Sequence, residues 1–376
     1  MAVLVRPCYC TREEARAAAD VQLASYSDAR IDRAIQSAST DVDRLCARNF
    51  MLNDTTAYFD WPNYQYAYPW RLWLDAAELA DVTVNIPVVN SGGQVIPNSA
   101  IFWGNPSYAG IVQGPPFTYF ELDRSQNFNF GNGPTPQREI KITGSFGYWR
   151  QFEPAGSLAV ALTDSVGTTV VVSNGSNPGV GDMMVIDSER MLVTDSTYTT
   201  LSAGFSSGIV NAFPSDNVGV TTASLSRDEV ILVDSEWMKV VQVGPQANTY
   251  TVKRAWGGST INTHLANANI YARRSLTVQR GIKGSAAATH SQNAAITILS
   301  IPDTVKQLAV AYAIIGITQE VSTYSAVQSS RTAGESALGH ATPFAAVREQ
   351  QAGVGLAILE ERCVTSYGRQ ARSRVV

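Results

Sequence analysis

A chain of 376 residues, 45% of them apolar, is long enough for two or three domains with sizeable cores. Only 16% of residues are charged and the net charge is −4, which leaves no basic footprint for tight nucleic-acid binding and suits a protein that hides surface in an assembly. The four cysteines (Cys8, Cys10, Cys46, Cys363) lack zinc-ligand spacing and read as reduced thiols, no leader precedes the first helix, and the longest apolar run, Leu308 to Ile317, is too short to span a bilayer.

Thr11 and Glu14 form a capping-box pair and predict a helix over 11–24. Ser27 is the N-cap of a second helix over 27–49, with Asp28 and Asp32 at its positive end. Ile31, Ile35, Ala38, Val42 and Leu45 make its apolar stripe, and Arg30, Arg33, Asp41, Asp43 and Arg44 its polar face. Asn49 is expected to take the left-handed C-terminal position.

From 55 to 150 the pattern turns to short alternating runs: Leu72–Leu74, Val82–Ile86, Ile101–Trp103, Tyr119–Leu122 and Glu139–Thr143. Gly92-Gly93 supplies a turn between strands. A third helix is predicted over 302–322, with Pro302 in its first turn and Val305, Leu308, Ala309, Tyr312, Ile315 and Ile317 apolar all round. Residues 322–342 are Ser/Thr/Ala/Gly-rich and read as a linker. Pro343 opens a fourth helix over 344–361, its face made by Phe344, Val347, Gln351, Val354, Ile358 and Leu359. The tail, 362–376, carries Arg362, Arg369, Arg372 and Arg374 and no acid.

Roughly 150 residues separate Tyr148 from the third helix, too many for a plain loop. They contain a repeat. Met183–Val193, with Asp187-Ser188-Glu189 in its middle, matches Val230–Val240 with Asp234-Ser235-Glu236; both read as hairpins. Arg254…Gly258-Ser259…Thr263-His264 matches Arg280…Gly284-Ser285…Thr289-His290. The first motif recurs 47 residues apart and the second 26 apart. Unequal spacing predicts nested modules: an outer one of 157–200 plus 276–298, and an inner one of 201–275. Nesting requires Met191–Thr199 to share a sheet with Leu276–Arg280.

His264 and His290 follow Gly-Ser turns at a fixed offset, which points to a shared local hydrogen bond rather than a metal or catalytic role. The Asp187/Glu189 and Asp234/Glu236 pairs fit ordinary turn chemistry better than calcium or glycosidase sites. Gly281–Ser285 has the wrong order for a P-loop, and Gly334–Gly339 misses a nucleophile elbow by one residue. The expectation is a protein that is not an enzyme and needs neither cofactor nor metal.

The order of blocks carries a further signal. "RI..AI..AS..VDR.C.R.F" (Arg30 to Phe50) runs into "T.YFD" (Thr56 to Asp60), then "I.ITG.FGY" (Ile140 to Tyr148), then the helix after Pro302. This series resembles bacteriophage head-to-tail adaptor proteins, also called head-tail connectors, over about 1–150 and 299–376. Ala47 departs from the Gly that the family often has before "R.F". The resemblance implies an α+β fold: a split α-helical bundle with core residues Ile31, Ile35, Val42, Leu45, Val305, Leu308, Tyr312 and Ile315, a β hairpin region, and here the all-β insertion. It implies a virion protein at the head-tail interface, assembled in the host cytoplasm without membrane involvement. The expected form is a homo-oligomeric, dodecameric ring. It would bind the portal protein and a downstream neck or tail-completion protein, and DNA would pass through its lumen without specific binding. The C-terminal segment would be a portal-docking arm built on Arg362, Arg369, Arg372, Arg374, Val375 and Val376. Two alternatives remain: a neck or baseplate protein whose β modules recognise carbohydrate or host surface, and a virion-associated hydrolase using the acidic turns.

Overall fold

The computed structural model describes the chain apart from residues 1–3, 19–26, 62–67, 75–77, 82–87, 91, 105–114, 132–133, 174–177, 205–214, 222–224, 226, 235, 247, 333–354 and 369–376. The described residues form two compact units. One comprises Met1–Val42, Phe152–Ile282 and Ala286–Ser366; the other comprises Asp43–Gln151, Lys283–Ser285 and Tyr367–Val376.

The second unit holds eight short strands. Five of them, β1 (Asn53–Phe59), β3 (Leu79–Asp81), β4 (Val88–Asn90), β5 (Val95–Ile96) and β8 (Ile140–Phe146), form one sheet in which β8 pairs with β1, β3 and β4. The other three, β2 (Arg71–Trp73), β6 (Ile101–Gly104) and β7 (Tyr119–Leu122), form a sheet with β7 central. Alternation puts Leu72, Phe120, Leu122, Ile140 and Ile142 into one core with Leu79, Val88, Ile96 and Phe130. The expected turn at Gly92-Gly93 is present: Gly93 has φ +77°, and its N–H donates to Asn90 O (2.9 Å). The run Val82–Ile86 lies outside the described residues.

The first unit carries a ten-stranded sheet. Its strands are β9 (Phe152–Ser157), β10 (Thr169–Val171), β11 (Met183–Ile186), β12 (Glu189–Thr200), β13 (Ser215–Gly219), β14 (Val230–Val233), β15 (Glu236–Val243), β16 (Thr249–Lys253), β17 (Asn269–Gln279) and β18 (Ala295–Leu299). The same set of pairings occurs twice. Ile186 pairs with Glu189 and Ile296, as Val233 pairs with Glu236 and Ile270. Leu192 pairs with Gln279, as Lys239 pairs with Lys253. Ser157 pairs with Ala295, as Thr200 pairs with Asn269. The long strands β12 and β17 serve both sets. Leu192–Ser196 pairs with Leu276–Gln279, and beyond a bulge Tyr198–Thr200 pairs with Asn269–Tyr271.

Among the described residues, eighteen strands stand against four helices, so the molecule is mainly β-sheet. The expected fold class, a split α-helical bundle with a β insertion, is therefore wrong. The helices are α1 (Arg12–Ala18), α2 (Asp28–Cys46), α3 (Asp303–Thr332) and α4 (Leu356–Tyr367). In α1 the Thr11 hydroxyl accepts the Glu14 N–H (3.1 Å) and the Glu14 carboxylate accepts the Thr11 N–H (2.9 Å). An apolar stripe specifies burial but not the partner, and here the partner includes the loop that leads into β11. Cys8 and Arg12 donate backbone N–H groups to Gly181 O (2.8 Å) and Val180 O (2.9 Å). A Cβ on Gly181 would lie 3.4 Å from Ile35 Cδ1. Of the expected bundle core, Ile31, Ile35, Val42, Val305 and Leu308 are buried, whereas Leu45, Tyr312 and Ile315 are only half-buried; Ile314 takes the inward place given to Ile315.

Three boundaries differ from expectation. The second helix stops at Cys46, and Ala47, not Asn49, turns left-handed with φ 51°. The third helix runs ten residues past 322, into the segment read as linker, because nothing from Ile317 to Thr332 is Gly or Pro. The fourth helix extends to Tyr367 and buries Leu356, Leu359 and Cys363, while Ile358 is exposed; Phe344, Val347, Gln351 and Val354 lie outside the described residues.

Candidate functional site

The two repeated motifs meet in space, once in each set of pairings. In the outer set Glu189, at the start of β12, accepts both arms of Arg280, from Nε and Nη2 at 2.7 Å each. The backbone N–H groups of Gly281 (3.1 Å) and Ala288 (2.9 Å) add two more bonds to the same carboxylate. His290 lies between two acids, with Nε2 2.8 Å from Glu189 and Nδ1 2.7 Å from Asp187. The inner set repeats every partner. Glu236 accepts Arg254 (2.6 Å twice), Ala255 N–H (3.0 Å) and Asn262 N–H (2.9 Å), and His264 lies 3.0 Å from Glu236 and 2.6 Å from Asp234.

Local backbone geometry builds both clusters. Asp187 and Asp234 turn their hairpins with φ 53° and 51°. Gly281 and Ala255 follow the arginines at φ 62° and 52°. Short polar side chains tolerate this left-handed region, and so does Gly; Ala255 is strained in it. Both glutamates are fully buried. Burial works against their ionisation, but the arginine, histidine and backbone donors outweigh it and hold each carboxyl down at about 2. Each imidazole has both nitrogens against carboxylates, so neither ring offers a free nitrogen to a substrate. The clusters therefore clamp a hairpin turn to two loops. Sequence reading expected one local hydrogen bond per histidine and missed the Arg–Glu pairs; the doubled order of the two motifs is the signal that linked them.

A cavity of about 430 Å³ also lies in the first unit, lined by Thr11, Glu14, Glu153, Asp182, Ile298 and Lys306 among others. Burial pushes the Asp182 carboxyl up to about 7, against a bond from the Gly179 N–H (2.7 Å) that pulls it down. Lys306 pairs with Glu14 at 3.0 Å. Nearby, Arg12 is buried against Asp32 (2.7 Å) and Asp195 (2.9 Å). No group of three or more metal-ligating side chains occurs among the described residues.

In the second unit, side chains from distant segments gather around Arg48. Its guanidinium pairs with Glu78 (3.0 Å), lies 4.1 Å from the Tyr148 ring centroid, and donates to Tyr367 O (2.6 Å). Phe50 meets Tyr148 and Tyr367 edge-on at 5.5 and 5.8 Å. The Gly147 φ of 156° lets the backbone pass Met51 O, which a Cβ would approach to 2.6 Å. Tyr148 N–H donates to Asn49 O (2.8 Å). Of the expected docking arm, Arg362 is exposed on α4, not in the tail; Arg369, Arg372, Arg374, Val375 and Val376 lie outside the described residues.

Compared with family models, curated proteins and solved structures, the chain matches none. Among the described residues no helix is long and apolar enough to cross a membrane.

Proposed function

We propose that this chain is a structural protein of a phage neck, a head-to-tail adaptor lying between the portal and the tail-completion proteins. The observation that carries the reading is the gathering around Arg48. Arg48 and Phe50 belong to the first resembling block and Tyr148 to the second, and they contact one another directly. Blocks so far apart in sequence share a composition for a reason if they build one socket. Ala47 adds support: it is left-handed at the place where the resembled family often has Gly.

In this reading no bond is made or broken. The adaptor is mainly β, the socket holds Tyr367, and the portal-docking arm is assigned to the tail that carries Arg369, Arg372, Arg374, Val375 and Val376. Identical copies form a closed ring, dodecameric by the resemblance, and DNA passes through its lumen without specific contacts. The weak negative charge suits that passage, because phosphate affinity comes from Lys and Arg. The twin-clamped β modules are outward decoration of the neck.

The test is co-expression of the full chain with the portal protein encoded beside it, followed by electron microscopy. The expected product is a ring of this chain on the portal. A chain ending at Gly368 should keep its melting transition and lose portal binding. Binding by the truncated chain refutes the docking arm; absence of any complex with the full chain refutes the adaptor.

A further inference from the structure

The outward face of the three-stranded sheet in the second unit is built differently from any other surface described above. Register places Arg71 beside Glu121 and Trp73 beside Tyr119, with Phe102 on the other side of Glu121. The opposite face of the same strands is core, so these alternate residues all point outward. Phe102 is 58% exposed and Tyr68, which flanks the sheet, 48%.

Two details make the face a formed site. Gly104 stands opposite Tyr119, and a Cβ there would lie 2.2 Å from the tyrosine ring. The missing side chain lets that ring lie down on the sheet. Arg71 fills the centre: its guanidinium carbon is 4.8 Å from the Tyr119 ring centroid, 5.0 Å from Tyr68 and 5.7 Å from Trp73. Its Nε donates to the Glu121 carboxylate at 2.5 Å. Stacking and pairing hold the guanidinium in place before any ligand arrives.

We propose that this face binds carbohydrate, a chain of neutral pyranose rings. The C–H faces of a pyranose are weakly positive and stack on the negative face of an aromatic ring, here that of the exposed Phe102 beside the arginine-stacked rings. Hydroxyl groups both donate and accept, and a fixed carboxylate beside a fixed guanidinium offers the matching acceptor and donors. Charge separates this ligand from a nucleic acid. Arg71 is neutralised by Glu121, and Arg124 lies over Trp70 at 4.7 Å; two arginines, one of them paired, are too little positive charge to track a phosphate backbone.

The full-length protein should be titrated with chitohexaose, maltohexaose and laminarihexaose, with tryptophan fluorescence as the readout and an oligothymidylate as comparison. At least one hexasaccharide is expected to give a saturable change at millimolar concentration or below. Phe102→Ala and Glu121→Gln should each weaken it about tenfold, and Val95→Ser, exposed on β5 of the other sheet, should not. Circular dichroism of each variant checks that the fold persists. Silence from all three sugars overturns the proposal, as does a response unchanged in both variants. Tighter binding of the oligothymidylate would assign the face to single-stranded nucleic acid instead. Self-association abolished by Phe102→Ala would assign it to a second copy of the chain.

Discussion

Replacing Glu189 with Gln isolates what one clamp contributes. The substitution keeps shape and removes one charge. Arg280, whose side chain is 5% exposed, is then left buried without its partner, and an amide NH₂ group faces donors it cannot serve. Removing one member of a buried ion pair costs about 3–5 kcal/mol. A second route gives a similar figure. The carboxyl falls from 4.5 to about 2 on folding, which corresponds to roughly 3 kcal/mol of stability at neutral pH. Because the folded value is the lower one, this contribution is complete above the unfolded value and fades as pH falls toward 2. Calorimetry at pH 7 should therefore show the transition of the first unit lowered by roughly 6–12 °C. The same comparison near pH 2 should show the two proteins converging, since folded wild-type Glu189 is by then about half protonated and the unfolded chain fully so. A loss below about 1 kcal/mol at pH 7 would refute the clamp as a stabilising device. So would a difference that ignores pH.

Asp182→Asn should act in the opposite sense. Burial raises this carboxyl to about 7, so folding is penalised increasingly as pH rises from the unfolded value of 3.8. The asparagine variant, still able to accept the Gly179 N–H, should melt higher than wild type at pH 8 and match it near pH 4. Ala47→Gly relieves a left-handed alanine at the end of α2 and should stabilise by about 0.5–1 kcal/mol in chemical denaturation; a destabilisation would contradict the cap geometry. Gly147→Ala brings a Cβ to 2.6 Å from Met51 O and should cost about 2–3 kcal/mol. Gly93→Ala, also at positive φ but in open space, should cost only about 1 kcal/mol by the same measurement.

Local chemistry was the legible part of this chain. The Thr11–Glu14 capping box, the Gly93 turn and the Asp-Ser-Glu hairpins each depend on residues a few positions apart, and each is written in a few letters. What a stripe packs against is not local. Ile31, Ile35 and Val42 announce a buried helix face, yet nothing in their spacing tells a second helix from the Gly181 loop beside Ile35. The β majority was hidden for a related reason: strands of two or three residues, such as β3, β4 and β5, are too short to display a period. The Arg–Glu clamps are not written locally, because Glu189 and Arg280 pair across 91 residues. Two motifs doubled in the same order are what such a distant pair leaves in a sequence.

The shared strands β12 and β17 have a mechanical consequence. No single-chain linker joins the two clamped modules; two long antiparallel strands run from one into the other, paired on both sides of a bulge. A pull along those strands loads many backbone bonds in shear at once, whereas a pull across them would open the bonds one by one. The modules are thus stiff to tension along one axis and soft to peeling along another. The bulge at Ser196–Tyr198 is the place where bending between them would concentrate.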